Sequence, residues 1–360
     1  MKKIVALLLA LMMVLGLAAC SSGNTQTSNP PSNNSQAPSE PEGDAGGAAS
    51  DPKVTLVMAE VNPADSIIGQ VDQAFIDKVE ELTGGTVEID FQASGVLGAE
   101  EVVLDTVFGS DNPAIDIARI SVFALNSYGV QKTVFCTLPF VFESPEHFWN
   151  FANSDLAKEF LNEPQELGLP VRGLFFGEEG FRHFFTRNEV PISDITSMKG
   201  LKLRVSNDPI MNGLVEGLGA SPTVVSFSEL YSGLQTGVCD GAEQPIGNYQ
   251  SNAFNEVAGN LILDGHTLGA IQVIITDNAW NKLTANQQAA VMEAAAYAQK
   301  FNQDYVDEAE AKVLEELRAA NVNIIEVPDK TPWVEAVSGV LEPYTTGAMG
   351  EVYDQIMALK

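Results

Sequence analysis

Positive charge is what this sequence lacks most. Of its 360 residues, 19 are Lys or Arg against 48 Asp or Glu, a formal net charge of −29. A field of that sign repels nucleic acids and anionic lipid headgroups, so no nucleic-acid partner is expected. Cysteine is nearly absent: Cys20, Cys136 and Cys239 are the whole supply, too few for a disulfide scaffold, and no CxxC pair exists for a zinc ribbon or a dithiol redox centre. The three histidines, His147, His183 and His266, show no HExxH spacing. There is no GxSxG elbow and no P-loop, and Gly217-Leu218-Gly219 lacks the third glycine of a dinucleotide fingerprint. No catalysis, cofactor or metal is therefore expected. No apolar run approaches the ~20 residues that span a bilayer as a helix.

Apolar residues make up 45% of the chain, with 18 Phe, which excludes disorder over most of its length. At ~100–200 residues per domain, the length predicts two domains.

The N-terminus reads as an address. Lys2 and Lys3 precede the apolar run Ile4 to Leu17, which ends in Leu17-Ala18-Ala19-Cys20. A basic start, a short apolar stretch and small residues before a cysteine predict a signal peptide over 1–19 and a lipidated Cys20. Residues 20–51, rich in Ser, Asn, Gln, Pro and Gly, are then a flexible tether. The folded body is expected outside the cytoplasm, held at the membrane by its lipid.

Beyond the tether, strand and helix patterns alternate, the α/β signature. Val54–Met58 reads as a strand. Ile67, Ile68, Val71, Phe75, Val79 and Leu82 fall at helical spacing, closed by Gly84-Gly85. Strands are predicted at 87–91, 114–120, 171–176, 201–205, 271–276 and 323–327, and helices at 102–108, 145–161 and most of 332–360. Ser226 and Glu229 have the spacing of a capping box. Thr284 and Gln287 form another, and no Gly or Pro follows from Ala285 to Ala320. A continuous helix there would be about 54 Å long and able to join two domains; two shorter helices broken near Asn302-Gln303-Asp304 are the alternative.

With only six arginines, each position is informative. Arg119 lies inside a strand, Arg182 follows the apolar run Leu174-Phe175-Phe176, and Arg204 alternates with Leu201, Leu203 and Val205. A guanidinium grips a carboxylate through two parallel hydrogen bonds, so these three are candidate anion contacts. Glu60 and Asn62 follow the first strand, where open α/β sheets bind ligands; the competing reading is loop surface. Adjacent acids such as Glu80-Glu81 and Glu100-Glu101 read as solvated faces. His266 reads as structural, Phe148 and Trp149 as core. Cys136, placed in an apolar strand, and Cys239 read as separate buried thiols, with a disulfide as the alternative.

Met198-Lys199-Gly200-Leu201-Lys202-Leu203-Arg204-Val205 resembles the "KGLKIRV" stretch of the solute-binding proteins of TRAP transporters, the DctP family. The resemblance continues through 218–223, 227–238 and Asp240-Gly241-Ala242-Glu243. Upstream, Ile115–Ser121, Leu138–Phe142 and Gly180-Phe181-Arg182 match as well. It implies a periplasmic-binding-protein-like fold: two α/β domains, a central cleft and a long helix spanning both. Domain I would comprise 52–179 plus 270–309, and domain II 180–269 plus 310–360. It implies a monomeric receptor that binds a C4-dicarboxylate or sugar acid and delivers it to the TRAP permease membrane subunits. Arg204 would clamp the carboxylate and Arg182 add a second contact. Gln244 stands where the family has an asparagine. Arg119, Glu60, Asn62, Asn248 and Tyr249 complete the expected ligand-binding set. Two other readings remain open: an extracytoplasmic enzyme using Glu178, Glu179 or His183 on a sugar acid, and a ligand-sensing subunit of a signalling system.

Overall fold

The computed structural model describes residues 51–360. The signal peptide, Cys20 and nearly all of the tether lie outside the described residues.

The first half of the chain builds one lobe. Strand β1 (Val54–Ala59) leads through Ser66, which accepts a hydrogen bond from the Gly69 amide at 3.1 Å, into helix α1 (Ile67–Thr83). Ile68, Val71, Phe75 and Val79 form its buried stripe, and Gly84 ends it at φ +59° in the left-handed region. Strand β2 (Val87–Gln92), helix α2 (Glu100–Phe108) and strand β3 (Ile117–Ser121) follow as predicted. The single helix expected over 145–161 is instead two, α3 (Pro145–Ala152) and α4 (Asp155–Glu166). Ser154 turns the chain between them, accepting from the Ala157 amide to cap the second.

The largest departure from the sequence reading is the length of two strands. β4 runs from Val171 to Thr186, and its antiparallel partner below is 17 residues long where six were expected. Between them come β5 (Lys202–Arg204), helix α5 (Pro209–Gly217), β6 (Ser221–Thr223), helix α6 (Leu230–Thr236), β7 (Gly241–Pro245) and helix α7 (Ile246–Ser251). The partner strand is β8 (Asn260–Thr276), followed by α8 (Asp277–Lys282), α9 (Ala285–Ala319), β9 (Asn323–Glu326), α10 (Thr331–Leu341) and α11 (Gly347–Met357). The Ser226–Glu229 capping box does not form. Ser226 Oγ bonds the Glu229 carboxylate at 2.9 Å, and a 3-10 turn at Phe227–Glu229 precedes α6.

Among the described residues one mixed sheet of nine strands results, in the order β2-β1-β3-β8-β4-β7-β5-β6, with β9 beside β8. β3 pairs with 271–275 of β8, whereas β9 pairs with 260–263 of the same strand. β7 pairs with 182–186 of β4. The long strands thus carry one α/β domain at each end and form the crossover between them, with β4–β8 register shifts at Gly173/Phe175, Glu178/Phe181 and Arg182/Phe184. Gly180 lies in the middle one at φ +86°, a backbone conformation that favours glycine, and a Cβ on it would displace the Glu310 carboxylate.

Helix α9 is continuous over 35 residues, closed at its N-terminus by the Thr284–Gln287 capping box, and about 52 Å long. It packs on α1 in the first domain and α7 in the second. Asn302, where a break was the alternative, is fully buried and pins the helix to the sheet: its Oδ1 accepts from the Glu178 amide at 2.7 Å and its Nδ2 donates to the Glu178 carbonyl at 3.0 Å.

Each domain has its own apolar core, for example Leu56, Phe75, Val273 and Val291 in the first and Leu203, Leu214, Ile262 and Trp333 in the second. Burying each such side chain is worth about 1.5–3 kcal/mol. Phe148 and Trp149 are buried as expected. Cys136 ends a 3-10 turn rather than lying in a strand, and Cys136 and Cys239 are both free, buried thiols. Among the described residues no helix is long and apolar enough to cross a membrane.

Candidate functional site

The loops and strand ends of both domains converge on a recess that encloses about 480 Å³, its open mouth included. The first domain contributes Asn62 after β1, Glu100 and Glu101 at the start of α2, and Arg119 and Ser121 of β3. The crossover and second domain contribute Glu179, Arg182, Arg204, Gln244 and Asn248. Of the eight residues predicted to bind ligand, Arg204, Arg182, Gln244, Arg119, Asn62 and Asn248 line this recess. Glu60 stands directly behind it.

Tyr249 does not belong there. Its ring lies 4.8 Å from that of Phe185, and its hydroxyl donates to the Ala258 carbonyl at 2.6 Å in the core of the second domain. Asn248 and Tyr249 are consecutive on α7 and project about 100° apart, Asn248 into the recess and Tyr249 into the core. Glu60 and Asn62 are not loop surface: they are 2% and 1% exposed. Glu100 and Glu101, read as a solvated face, are in the wall.

The three arginines have different surroundings. Arg119 is neutralised from two sides: Nε lies 3.3 Å from Glu60 Oε2, and its other arm bonds Glu179, which also accepts from Asn248 Nδ2. Glu60 Oε1 in turn accepts from the Asn62 amide at 2.6 Å and from Asn62 Nδ2 at 2.9 Å. Arg182 makes a two-pronged pair with Glu243 on the neighbouring strand β7, one prong at 3.0 Å. Behind Glu243 stands His266, whose Nε2 is 3.6 Å from that carboxylate and whose Nδ1 is 2.6 Å from Asp264. Burial alone would drive His266 toward neutrality, but the charges and hydrogen bonds of Asp264 and Glu243 together outweigh it and raise its pKa. His266 is thus a structural residue, as expected.

Arg204 is the exception. It is 4% exposed, its Nε donates to the Val225 carbonyl at 2.9 Å, and its guanidinium carbon lies 5.9 Å from the Phe227 ring centre. Among the described residues no carboxylate stands within ion-pairing distance of it. Burial pulls its pKa down, and the more distant charge of Glu243 offsets this only in part. Among the described residues, this desolvated cation at the wall of the recess has no counter-ion within ion-pairing distance.

The opposite wall is acidic. Glu100 Oε1 accepts from the Ser121 amide at 2.6 Å, and burial raises its carboxyl to about 7 despite that bond. Sequence reasoning passed over this residue because adjacent acids are common in so acidic a chain. The one available signal was its place at the start of a helix after the glycine-containing 94–99 loop. The residues considered for catalysis are not assembled. Glu178 and Glu179 are successive on β4 and point to opposite faces. Glu178 accepts from the Gly180 amide, while His183 accepts from the Gly265 amide at 2.9 Å.

A family model described as bacterial extracellular solute-binding protein, family 7, matches residues 58–346. A solute-binding protein of Verminephrobacter eiseniae is 28% identical over 280 residues, covering 76% of this chain and 79% of that one. Among solved structures, a TRAP periplasmic solute-binding protein from Polaromonas, bound to D-erythronate, is 26% identical with a TM-score of 0.80, covering 86% of this chain and 99% of its own. Another from Pseudomonas putida, with bound D-glucuronate, is 27% identical with a TM-score of 0.77, covering 85% and 96%. The match takes in both domains, the crossover strands and every residue of the recess, and the chain belongs to family 7 of the bacterial extracellular solute-binding proteins.

Proposed function

We propose that this protein captures a small sugar acid in the recess, closes over it, and delivers it to a TRAP-type membrane permease without chemical change. The observation that carries this reading is Arg204, a buried guanidinium facing the recess with no carboxylate partner among the described residues. A ligand carboxylate would supply the missing charge through two parallel hydrogen bonds. The acidic wall of Glu100 and Glu101 favours hydroxyl groups, which can donate to carboxylates, over a second carboxylate, which would be repelled. D-Erythronate and D-glucuronate, held by the two similar structures, each combine one carboxylate with several hydroxyls. That combination supports a sugar acid over a C4-dicarboxylate. The TRAP designation of those structures supports the permease as partner.

Closure would pivot at the crossover, where Gly180 and the register shift interrupt β4 and β8. On this reading domain I would comprise 52–179 plus 270–309 and domain II 180–269 plus 310–360, acting together as a monomeric receptor.

A thermal-shift panel tests the ligand class. D-Glucuronate, D-galacturonate and D-erythronate are compared with succinate and with D-glucose, the neutral counterpart of D-glucuronate. At 100 times its Kd a ligand adds about 2.7 kcal/mol, a clear rise in Tm. At least one sugar acid is expected to stabilise the protein, and D-glucose to leave it unchanged. Equal shifts from D-glucuronate and D-glucose would remove the carboxylate from the account; a shift from succinate alone would exclude sugar acids.

Outside the cytoplasm, the receptor would be tethered through acylated Cys20. Replacing Cys20 with alanine is expected to move the folded body from the membrane fraction to the soluble one, or to leave the signal uncleaved. A Cys20→Ala protein that matured and sedimented with membranes like wild type would rule the anchor out.

A further inference from the structure

Beneath the recess lies a carboxyl group that the ligand cannot touch. Asp72, on the inner face of α1, is 0% exposed, and neither of its oxygens has a hydrogen-bond donor within reach. An ionised aspartate in that position would be a buried charge with no counter-ion and no hydrogen bonds, among the costliest arrangements a core can hold. Its neighbour is another buried carboxyl, Glu60, which acts on Asp72 both through its charge and through side-chain hydrogen bonding. Glu60 Oε1 is fully engaged by Asn62, and its Oε2 has no hydrogen-bond donor, with only Arg119 Nε nearby at 3.3 Å. Two buried carboxyls facing one another, with unsatisfied oxygens on both, are satisfied together by one shared proton.

We propose that Asp72 is a positioning residue of the binding site: kept as the neutral acid, it donates to Glu60 and so fixes the carboxylate that orients Asn62 and Arg119. The chain of contacts continues beyond Glu60. Arg119 reaches Glu179, which takes Asn248, and Asn62 Oδ1 accepts from Asn252 Nδ2 at 3.2 Å. The proton on Asp72 thus sets one end of a polar relay from α1 in the first domain to α7 in the second, and four of its members (Asn62, Arg119, Glu179 and Asn248) line the recess.

The charged groups acting on Asp72 are Glu60 just after β1, Arg119 from β3 and Glu179 from β4. Burial comes first and the two carboxylates add to it, while Arg119 opposes; the outcome is a pKa well above the ordinary aspartate value. A group raised in the folded state binds its proton there and not in the unfolded chain, from the unfolded pKa near 4 upward. Its stabilising contribution is complete below that value and is lost as pH rises toward the folded pKa. Over that window one extra bound proton makes the unfolding constant rise about tenfold per pH unit.

The test compares Asp72→Asn with Asp72→Leu. An asparagine amide can donate to Glu60 as the acid does but carries no titrating proton. Denaturant unfolding without ligand is measured from pH 5 to pH 8. Glu100 and Glu178, both raised to about 7 by burial, titrate in the same range, so the readout is the difference in slope between variant and wild type. Asp72→Asn is expected to remove about one proton's worth of slope, tenfold per pH unit, and to be relatively more stable at pH 8. An unchanged slope would overturn the proposal by showing that Asp72 is ionised in both states.

The second arm rests on the sugar-acid reading and uses D-glucuronate as probe. Asp72→Asn should hold it within about threefold of wild type, and Asp72→Leu, with no donor to Glu60, should lose at least about tenfold. Equal losses in the two variants would contradict the positioning role. If wild type itself does not bind D-glucuronate, the choice of probe fails and the slope measurement still decides the protonation of Asp72.

Discussion

Replacing Arg182 with methionine is expected to destabilise the protein by about 3–5 kcal/mol, because it leaves Glu243 buried without its counter-ion. Arg182 is 4% exposed and Glu243 0%, so water cannot take over the lost hydrogen bonds. The sequence resemblance had suggested a mainly ligand-facing role for Arg182. Its guanidinium does reach the recess, but two of its donors are already committed to Glu243. The loss should depend on pH. In the wild type, burial pushes the Glu243 carboxyl up, but Arg182 and His266 outweigh it and hold the group below its ordinary value. Without Arg182 the burial contribution gains weight and the Glu243 pKa rises. A raised carboxyl is stabilised below its unfolded pKa and loses that stability as pH climbs, so the variant should be impaired more at pH 8 than at pH 5. Denaturant unfolding at both values checks this. A loss under about 1 kcal/mol at pH 8 would mean that the pair is far better solvated than its burial indicates. The double variant Arg182→Met, Glu243→Leu should recover much of the loss, since replacing both members of a buried pair by apolar groups is often neutral.

What could be read from the sequence follows the range of the interactions involved. Caps and periodic faces are local, and they located α1 with its Gly84 terminus and α9 with its Thr284–Gln287 box. The boundaries of β4 and β8 were lost because Glu178, Glu179, His183 and Asp264 interrupt the apolar pattern and look like the ends of strands. They lie inside the sheet because the fold supplies buried partners, which for Glu179, His183 and Asp264 come from far along the chain. Glu179 meets Arg119 and Asn248, and Asp264 meets His266 and the Phe184 amide. No spacing rule reveals such pairs. For the same reason the arginines looked alike in the sequence, whereas among the described residues the fold supplies carboxylates to Arg119 and Arg182 and none to Arg204. Tyr249 departs from the expectation for a simpler reason: it follows Asn248 on α7 and projects into the core of the second domain instead of the recess.

Arg204→Met is expected to cost the largest share of binding of any change in the recess. Truncating one partner of a buried, hydrogen-bonded charge pair costs about 2–5 kcal/mol, or roughly 30- to 5,000-fold in Kd. Arg204→Lys keeps the charge but not the fork, and should lose roughly 10- to 150-fold, the worth of a charge-assisted hydrogen bond of about 1.5–3 kcal/mol. The free protein should not suffer in proportion. An unpaired buried cation destabilises the protein that holds it, so exchanging it for methionine should leave the ligand-free Tm equal or higher. Loss of binding without loss of stability separates a ligand-facing arginine from a structural one such as Arg182. The decisive measurement is calorimetric titration of wild type and Arg204→Met with the sugar acid that stabilises wild type most, beside a melt of each free protein. The account predicts that the variant folds with an undiminished Tm and binds the acid at least about 30-fold more weakly. Wild-type affinity in a folded Arg204→Met protein would contradict it.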